Sequence, residues 1–428
     1  MKKLALSALV IATAFVGVGS LQAGDKGSAA GGLELSGNVD VVTGWQHDSK
    51  NAQGLLNGVN DLDNAGLLGE GQLGDFRGQG AAYRDTFNFY IDQVELDINK
   101  TFGENIRIRA DLDFGRANSG SQRVTGANNF NLEQGYVTAN IPVGNGLEFL
   151  VGRFNIPLGL EAVDRANNIA LSYTNLYRFL RPHNTTGMKL YYAFNDLFDW
   201  HIYAVNNLYY GISLTGTSGI GSIGVTDTPI PSWGTRFGFT WGEKGKESTV
   251  GLSYAGGPEG GVYGINAMRH FTNIADLDFS IHATDNFIIA GEGIFRQDNL
   301  GGACLPGGFN QPAVGTAIPV QNCRGFGGNL LLAYNFSETW GMYFRYDYLY
   351  DRSGNYINPA NYAATTTAGK RQIHDFSLGA SYQITEGAKL KMEYRLDMGL
   401  IPANGLAAGA GGAKSWNNAF ALEFAYNF

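Results

Sequence analysis

The spacing of its connections most limits what this chain can fold into. Segments of about ten residues alternate apolar and polar side chains, and the links between them switch strictly between short and long. Ile106, Ile108, Ala110, Leu112 and Phe114 interleave with Arg107, Arg109, Asp111 and Asp113. Met342, Phe344, Tyr346 and Tyr348 flank Arg345 and Asp347; Leu390, Met392, Tyr394 and Leu396 flank Lys391, Glu393, Arg395 and Asp397. A period of two marks a strand with one apolar and one wet face. Sixteen such segments run from 33–46 to 417–428. Seven links are tight: 101–105, 142–146, 196–199, 243–247, 283–286, 337–339 and 385–388; the other eight take about 16 to about 40 residues.

A soluble sandwich has no reason to sort its loops by length. A membrane barrel does, with short turns on one side and long loops on the other. Lipid cannot hydrogen-bond an open sheet edge, so such a sheet must close. The sequence therefore predicts an all-β fold: one transmembrane antiparallel β-barrel of about sixteen strands over residues 24–428, its interior wet. A change of phase near Asp92 (Phe87, Phe89, Ile91, then Val94, Leu96, Ile98) predicts a bulge.

Composition agrees. Charged residues make up 16 % and mean hydropathy is only −0.13, so low charge has not been exchanged for an apolar core. Sixty-one Gly and 13 % aromatics fill the gap. Trp45, Trp200, Trp233, Trp241 and Trp340 fall at segment ends, where amphipathic rings suit a bilayer interface. A net charge of −8 argues against nucleic-acid binding. Beyond the first residues no apolar run of 18 occurs, which excludes helical spans. Lys2 and Lys3, the apolar stretch Leu4 to Val18 and the small Ala23 read as a signal peptide over residues 1–23. Export through it leads to the Gram-negative outer membrane, with lipid as the barrel's surroundings. The last residues Phe420, Leu422, Phe424, Tyr426 and Phe428 alternate and end on the aromatic. This resembles the C-terminal signal of outer-membrane proteins and implies the barrel-assembly machinery as a partner through Phe428.

Two runs are more specific. Leu132-Glu-Gln-Gly-Tyr-Val-Thr-Ala-Asn140 and Leu147-Glu-Phe-Leu-Val-Gly-Arg-Phe-Asn-Ile-Pro-Leu-Gly-Leu-Glu161 resemble the OmpL-like β-barrel porin family. Phosphate-selective porins carry a similar Gly-Arg/Lys-Phe…Pro-Phe-Gly run, where this chain has Leu158 in place of the second Phe. The resemblance implies a water-filled diffusion channel for small hydrophilic solutes and ions, and a homotrimer. It does not name a solute. An adhesin or receptor barrel acting through its external loops is the alternative, and conductance separates the two.

Arg107, Arg109, Asp111, Asp113, Arg345, Asp347, Lys391, Glu393, Arg395 and Asp397 are the expected pore-lining charges. With Glu133, Asp276, Asp278, Glu292, Asp375 and Glu423 the interior carries both signs, anions in slight excess, most of them expected to be solvated or paired across strands. Weak cation preference follows, since rings of one sign set selectivity. The long link 155–185 holds Glu161, Asp164, Arg165, Arg178 and Arg181 among Ile169, Leu171, Leu176 and Phe179. Such apolar residues are out of place on an exposed loop. General porins fold the corresponding loop into the barrel, so these charges are candidates for a constriction.

Cys304 and Cys323 share one link and should pair in an oxidising compartment. That closure is worth about 3 kcal/mol, most of it local to the loop. The six His are scattered, and neither H-E-x-x-H nor G-x-S-x-G occurs. No enzyme activity, cofactor or metal is expected.

Overall fold

The computed structural model describes residues 32–48, 85–114, 130–208, 230–259, 270–299, 323–352, 371–401 and 413–428. They form sixteen antiparallel strands: β1 Leu33–Asp48, β2 Asp85–Phe102, β3 Ile106–Phe114, β4 Phe130–Ile141, β5 Leu147–Asn155, β6 Asn184–Ala193, β7 Phe198–Val205, β8 Ser232–Trp241, β9 Ser248–Glu259, β10 His270–His282, β11 Phe287–Asn299, β12 Cys323–Asn335, β13 Trp340–Asp351, β14 Arg371–Gln383, β15 Ala388–Ile401 and β16 Ala413–Asn427. Each pairs with its sequence neighbours, and β1 pairs with β16, from Asn38 opposite Asn427 to Asp48 opposite Asn417. Gly37 and Phe428 exchange both backbone hydrogen bonds at 3.1 and 3.0 Å and finish the seam. No sheet edge is left to face lipid.

The pleat sorts side chains as the alternation predicts. Along β13, Trp340, Met342 and Phe344 are exposed outward while Tyr343, Arg345, Asp347 and Leu349 are buried inward. Outward Trp340 packs on Tyr382 with ring centroids 4.7 Å apart, and Trp200 lies near Phe237, as interfacial rings do. The bulge near Asp92 is present: Asp40 pairs with Gln93 and Val41 with Ile91, so Asp92 is the extra residue. A second bulge makes Glu133 the extra residue of β4, between Gln134 opposite Asp111 and Leu132 opposite Leu112. Each bulge turns one more carboxylate inward.

The seven tight links fall where the sequence puts them, within about two residues. In some, Gly supplies left-handed backbone, as Gly103 with φ 60° and Gly387 with φ 82°. In others the Asn195, Thr284 or Ser337 side chain accepts from a backbone N–H three residues on. Most long links are shorter than expected. β9 runs to Glu259 and β10 begins at His270, leaving 260–269, since hairpin pairing continues after lipid stops dictating the alternation. Arg153 has the outward parity of exposed Val151, yet its guanidinium donates to the Glu133 carbonyl at 3.0 Å and to Asn184 Oδ1 at 2.6 Å.

Candidate functional site

Residues 156–183, between β5 and β6, turn into the barrel. Call this segment L3. Its Ile156, Leu158, Leu176 and Leu180 pack against Tyr203, Val205, Ile274, Ile294, Leu349 and Ile373 on the inner faces of β7, β10, β11, β13 and β14. Leu171 meets Val42 of β1 and Ala419 and Ala421 of β16 at the seam, and Ala170 meets Ile288, Ala290, Leu331, Ala333 and Tyr343. Burying each Leu stabilises this position by roughly 1.5–3 kcal/mol, so L3 has a core of its own to hold it inside.

Local chemistry shapes L3. The Asn168 side chain brackets Ala162, accepting from its N–H at 2.8 Å and donating to its carbonyl at 3.0 Å. A 3-10 turn covers Arg165–Asn167, and a short helix, α1, covers Asn175–Phe179. Thr174 caps α1: its hydroxyl accepts from Tyr177 N at 3.1 Å and donates to Glu161 at 2.6 Å. At the base, Ile156 N donates to the His183 carbonyl at 2.7 Å and Arg181 donates to the Glu161 carbonyl. Tyr173, Tyr177 and His183 stack with centroids 4.1 and 4.0 Å apart, and Arg165 and Arg181 each lie 5.2 Å from a ring of that stack. Burial, and then the neighbouring Arg181, pushes His183 down to about 3, so its imidazole is neutral.

The wall grips L3 through charge. Arg345, 1 % exposed, donates to the Ser172 carbonyl, to Ser172 Oγ at 2.8 Å and to Glu161 at 3.3 Å. Arg395 donates to the Tyr173 carbonyl at 2.6 Å and pairs with Asp375 at 2.6 Å and Asp397 at 3.0 Å. Glu393 accepts from Leu171 N at 3.1 Å, Ser172 N at 3.3 Å and the Tyr343 hydroxyl at 2.6 Å. Asp347 accepts from Asn175 N at 2.6 Å, and Lys391 donates to the Arg165 carbonyl at 3.1 Å while pairing with Glu423 at 3.0 Å. Farther round, Gly159 N donates to Asp276 at 3.1 Å and Leu160 N to Glu292 at 3.0 Å. An irregular segment inside a barrel has backbone N–H groups with no ladder to join; the acidic wall supplies their acceptors.

The fifteen singled-out charges thus divide. Arg345, Asp347, Lys391, Glu393 and Arg395 lie beneath L3 and are bonded to it rather than solvated, with Asp397 behind Arg395. Arg107 and Arg109 stand on the wall L3 leaves open. Arg107 donates to Asn99 at 2.7 Å; Arg109, 24 % exposed, pairs with Asp111 at 2.7 Å and Asp97 at 3.4 Å. Asp113 accepts from Gln93 at 3.1 Å. Within L3, Glu161 joins Arg345, Arg165 pairs with Asp92 at 3.2 Å, Asp164 accepts from Gln93 at 3.3 Å, and Arg178 lies 5.4 Å from the Phe179 ring. Cys323 opens β12, and Cys304 lies outside the described residues. Sequence reasoning missed Ser172, Tyr343, Asn175 and the apolar Ile274, Ile294 and Ile373. The available signal was Leu349, an apolar residue on an otherwise wet phase.

Known proteins agree with this geometry. The structure is similar to the outer membrane channel DcaP of Acinetobacter baumannii, at a TM-score of 0.57 and 12 % identity over 94 % of this chain and 98 % of that one. It is similar to the anion-selective porin of Comamonas acidovorans at 0.55 and 10 %, over 93 % and 100 %, and to OmpT of Vibrio cholerae at 0.52 and 11 %, over 94 % and 98 %. At such identities the likeness is one of fold. No curated protein matches the sequence. A family model, "Putative beta-barrel porin-2, OmpL-like", matches residues 32–428. The closed sixteen-strand barrel, its inward-folded loop and this match together make the chain a member of the OmpL-like β-barrel porin-2 family, a channel-forming porin of the Gram-negative outer membrane.

Proposed function

We propose that L3 sets the cross-section of the passage, so that this porin admits only small hydrophilic solutes and ions by diffusion. The carrying observation is the clamp of Arg345, Arg395 and Glu393 on Ser172, which holds L3 against the wall at mid-barrel. In this reading Glu161 and Arg181 are internal struts of the constriction, while half-buried Asp164 and Arg178 are the L3 charges a solute meets. The solute passes the wall positions that L3 does not cover, where Arg107, Arg109, Glu148, Asp199 and Arg236 are partly exposed. Both signs are present there, which supports weak charge selectivity. Deleting 162–180 should raise single-channel conductance in planar bilayers, and unchanged conductance would sink the constriction. Liposome swelling with sugars, amino acids and phosphate would then rank solutes.

Selection by size and charge needs no bond chemistry, so no enzymatic step is assigned. Residues 1–23 are read as the signal peptide and 24–428 as the barrel domain, which N-terminal sequencing of the outer-membrane form tests. Cys304 and Cys323 are proposed to pair, with reduction loosening their loop but leaving the barrel folded. Trimeric association is supported by the likeness to OmpT, one form of which is a trimer, with TM-score 0.51, 12 % identity and 93 % and 100 % coverage. Cross-linking in native membranes tests it.

A further inference from the structure

Beneath L3 the interior charges are bonded to the loop or to one another. On the wall that L3 leaves uncovered, one group of polar side chains is not. Arg107 of β3, Tyr136 of β4, Glu148 of β5 and Tyr191 of β6 are half-buried, and Lys189 of β6 lies behind them, 5 % exposed. Glu148 stands opposite Tyr191 in register, and Lys189 is two residues along β6 on the same inward face. The charges of Lys189 and Arg107 both act on Glu148, and those of Arg107 and Glu148 both reach the Tyr136 hydroxyl. The side chains therefore form one patch.

Their polar ends are held apart. Arg107 donates to the neutral Asn99, through Nε at 3.2 Å and Nη2 at 2.7 Å, and keeps Nη1 for another acceptor. Lys189 Nζ lies 5.5 Å from the centre of the Phe154 ring, and the Tyr191 ring packs on His201 at 4.6 Å. Among the described residues, the Glu148 carboxylate, the Lys189 ammonium and the Tyr136 and Tyr191 hydroxyls have no hydrogen-bond partner. Opposite charges this near in a sheet ordinarily close into pairs. Here the anchoring of Arg107 by Asn99 and of Lys189 beside Phe154 leaves both signs open to the passage.

We propose that this patch is a subsite for zwitterionic solutes of the α-amino acid class. The solute carboxylate turns to Arg107 and its ammonium to Glu148, with the Tyr136 hydroxyl between them. Lys189, behind the surface, adds to the field that draws the carboxylate. A lone anion would leave Glu148 without a counter-charge, and a lone cation would leave Arg107 without one. A neutral sugar could satisfy hydrogen bonds but neither charge. The contacts are half-exposed and so individually weak, which a channel needs if a solute is to leave as well as enter. The subsite rests on the reading that solutes pass the wall L3 does not cover.

The test uses the full mature chain in proteoliposomes and compares swelling in L-alanine with swelling in lactamide, its uncharged isomer. Wild-type protein should pass alanine about fivefold faster, the effect of two exposed ion pairs. Arg107→Ala and Glu148→Gln should each remove most of that preference, whereas Asp285→Asn, on an exposed turn, should keep it. Heat-modified gel mobility reports the folding of each variant. Should one fail to fold, the other and the wild-type ratio carry the test. Equal rates for the two solutes through the wild type, or a full preference kept by folded Arg107→Ala or Glu148→Gln, overturns the subsite. The constriction is read separately, from conductance after deletion of 162–180, so either reading can fail while the other stands.

Discussion

Arg345 shows how much one interior residue carries. Its guanidinium joins two parts of L3, Glu161 and Ser172, to Ser377 and Asp375 of β14, the last 3.6 Å away. Replacing it by Ala leaves Glu161 and Asp375 buried beside a hole. The expected cost is about 3–5 kcal/mol, as for a broken buried ion pair. Arg107→Ala should cost about 1 kcal/mol or less, because Arg107 is half-exposed and bonded to neutral Asn99. Urea unfolding in detergent measures both; equal losses would mean that Arg345 does not clamp L3. His183 gives a pH dependence of known sign. Its folded-state value, about 3, lies below the ordinary 6.5, so protonation favours the unfolded chain. Its stabilisation is therefore complete above about pH 6.5 and drains as pH falls toward 3, by up to ~1.4 kcal/mol per unit. His183→Phe should lose less stability than the wild type between pH 7.5 and 4.5. A parallel loss in both proteins would remove His183 from the account.

At the scale of elements, strands were legible and L3 was only half so. The parity of β13 follows from Met342, Phe344 and Tyr346 alone, because lipid and water impose opposite chemistries on alternate residues. Phe344→Arg, on the lipid face at mid-strand, should therefore cost ~2–4 kcal/mol in unfolding experiments in bilayers. A neutral effect would mean that this face is not in lipid. For L3, the apolar content of Leu171, Leu176 and Phe179 signalled an inward fold, but nothing periodic says what each residue touches. Arg395 meets the Tyr173 carbonyl across 222 positions of sequence, a contact set by how an irregular segment fills the space it finds. Glu95 was overlooked for the same reason. It is one wet-face residue among many on β2, and only its register with Asp113 and the bulge at Glu133 make it part of a cluster.

For the molecule as a whole, closure is the decisive event. Among the described residues every strand pairs with its sequence neighbour, and the only pairing between distant parts of the chain is β1 with β16, which must wait for the whole chain. Phe428 ends that seam with two backbone hydrogen bonds to Gly37. Its deletion should lower the yield of folded barrel in the outer membrane, scored by heat-modified mobility; an unchanged yield would leave Phe428 without a part in assembly. The alternation and the lengths of its links determined by themselves that this chain is a closed barrel of sixteen strands, because lipid allows only one way to satisfy such a sheet. They could not determine which interior charges face water. That was decided by tertiary structure, where L3 covers the acidic wall of β10 to β16 and leaves Arg107 and Arg109 on the open side. The difference is physical: periodicity encodes which solvent a face meets, while the docking of an aperiodic loop depends on shape and hydrogen-bond supply across the whole interior.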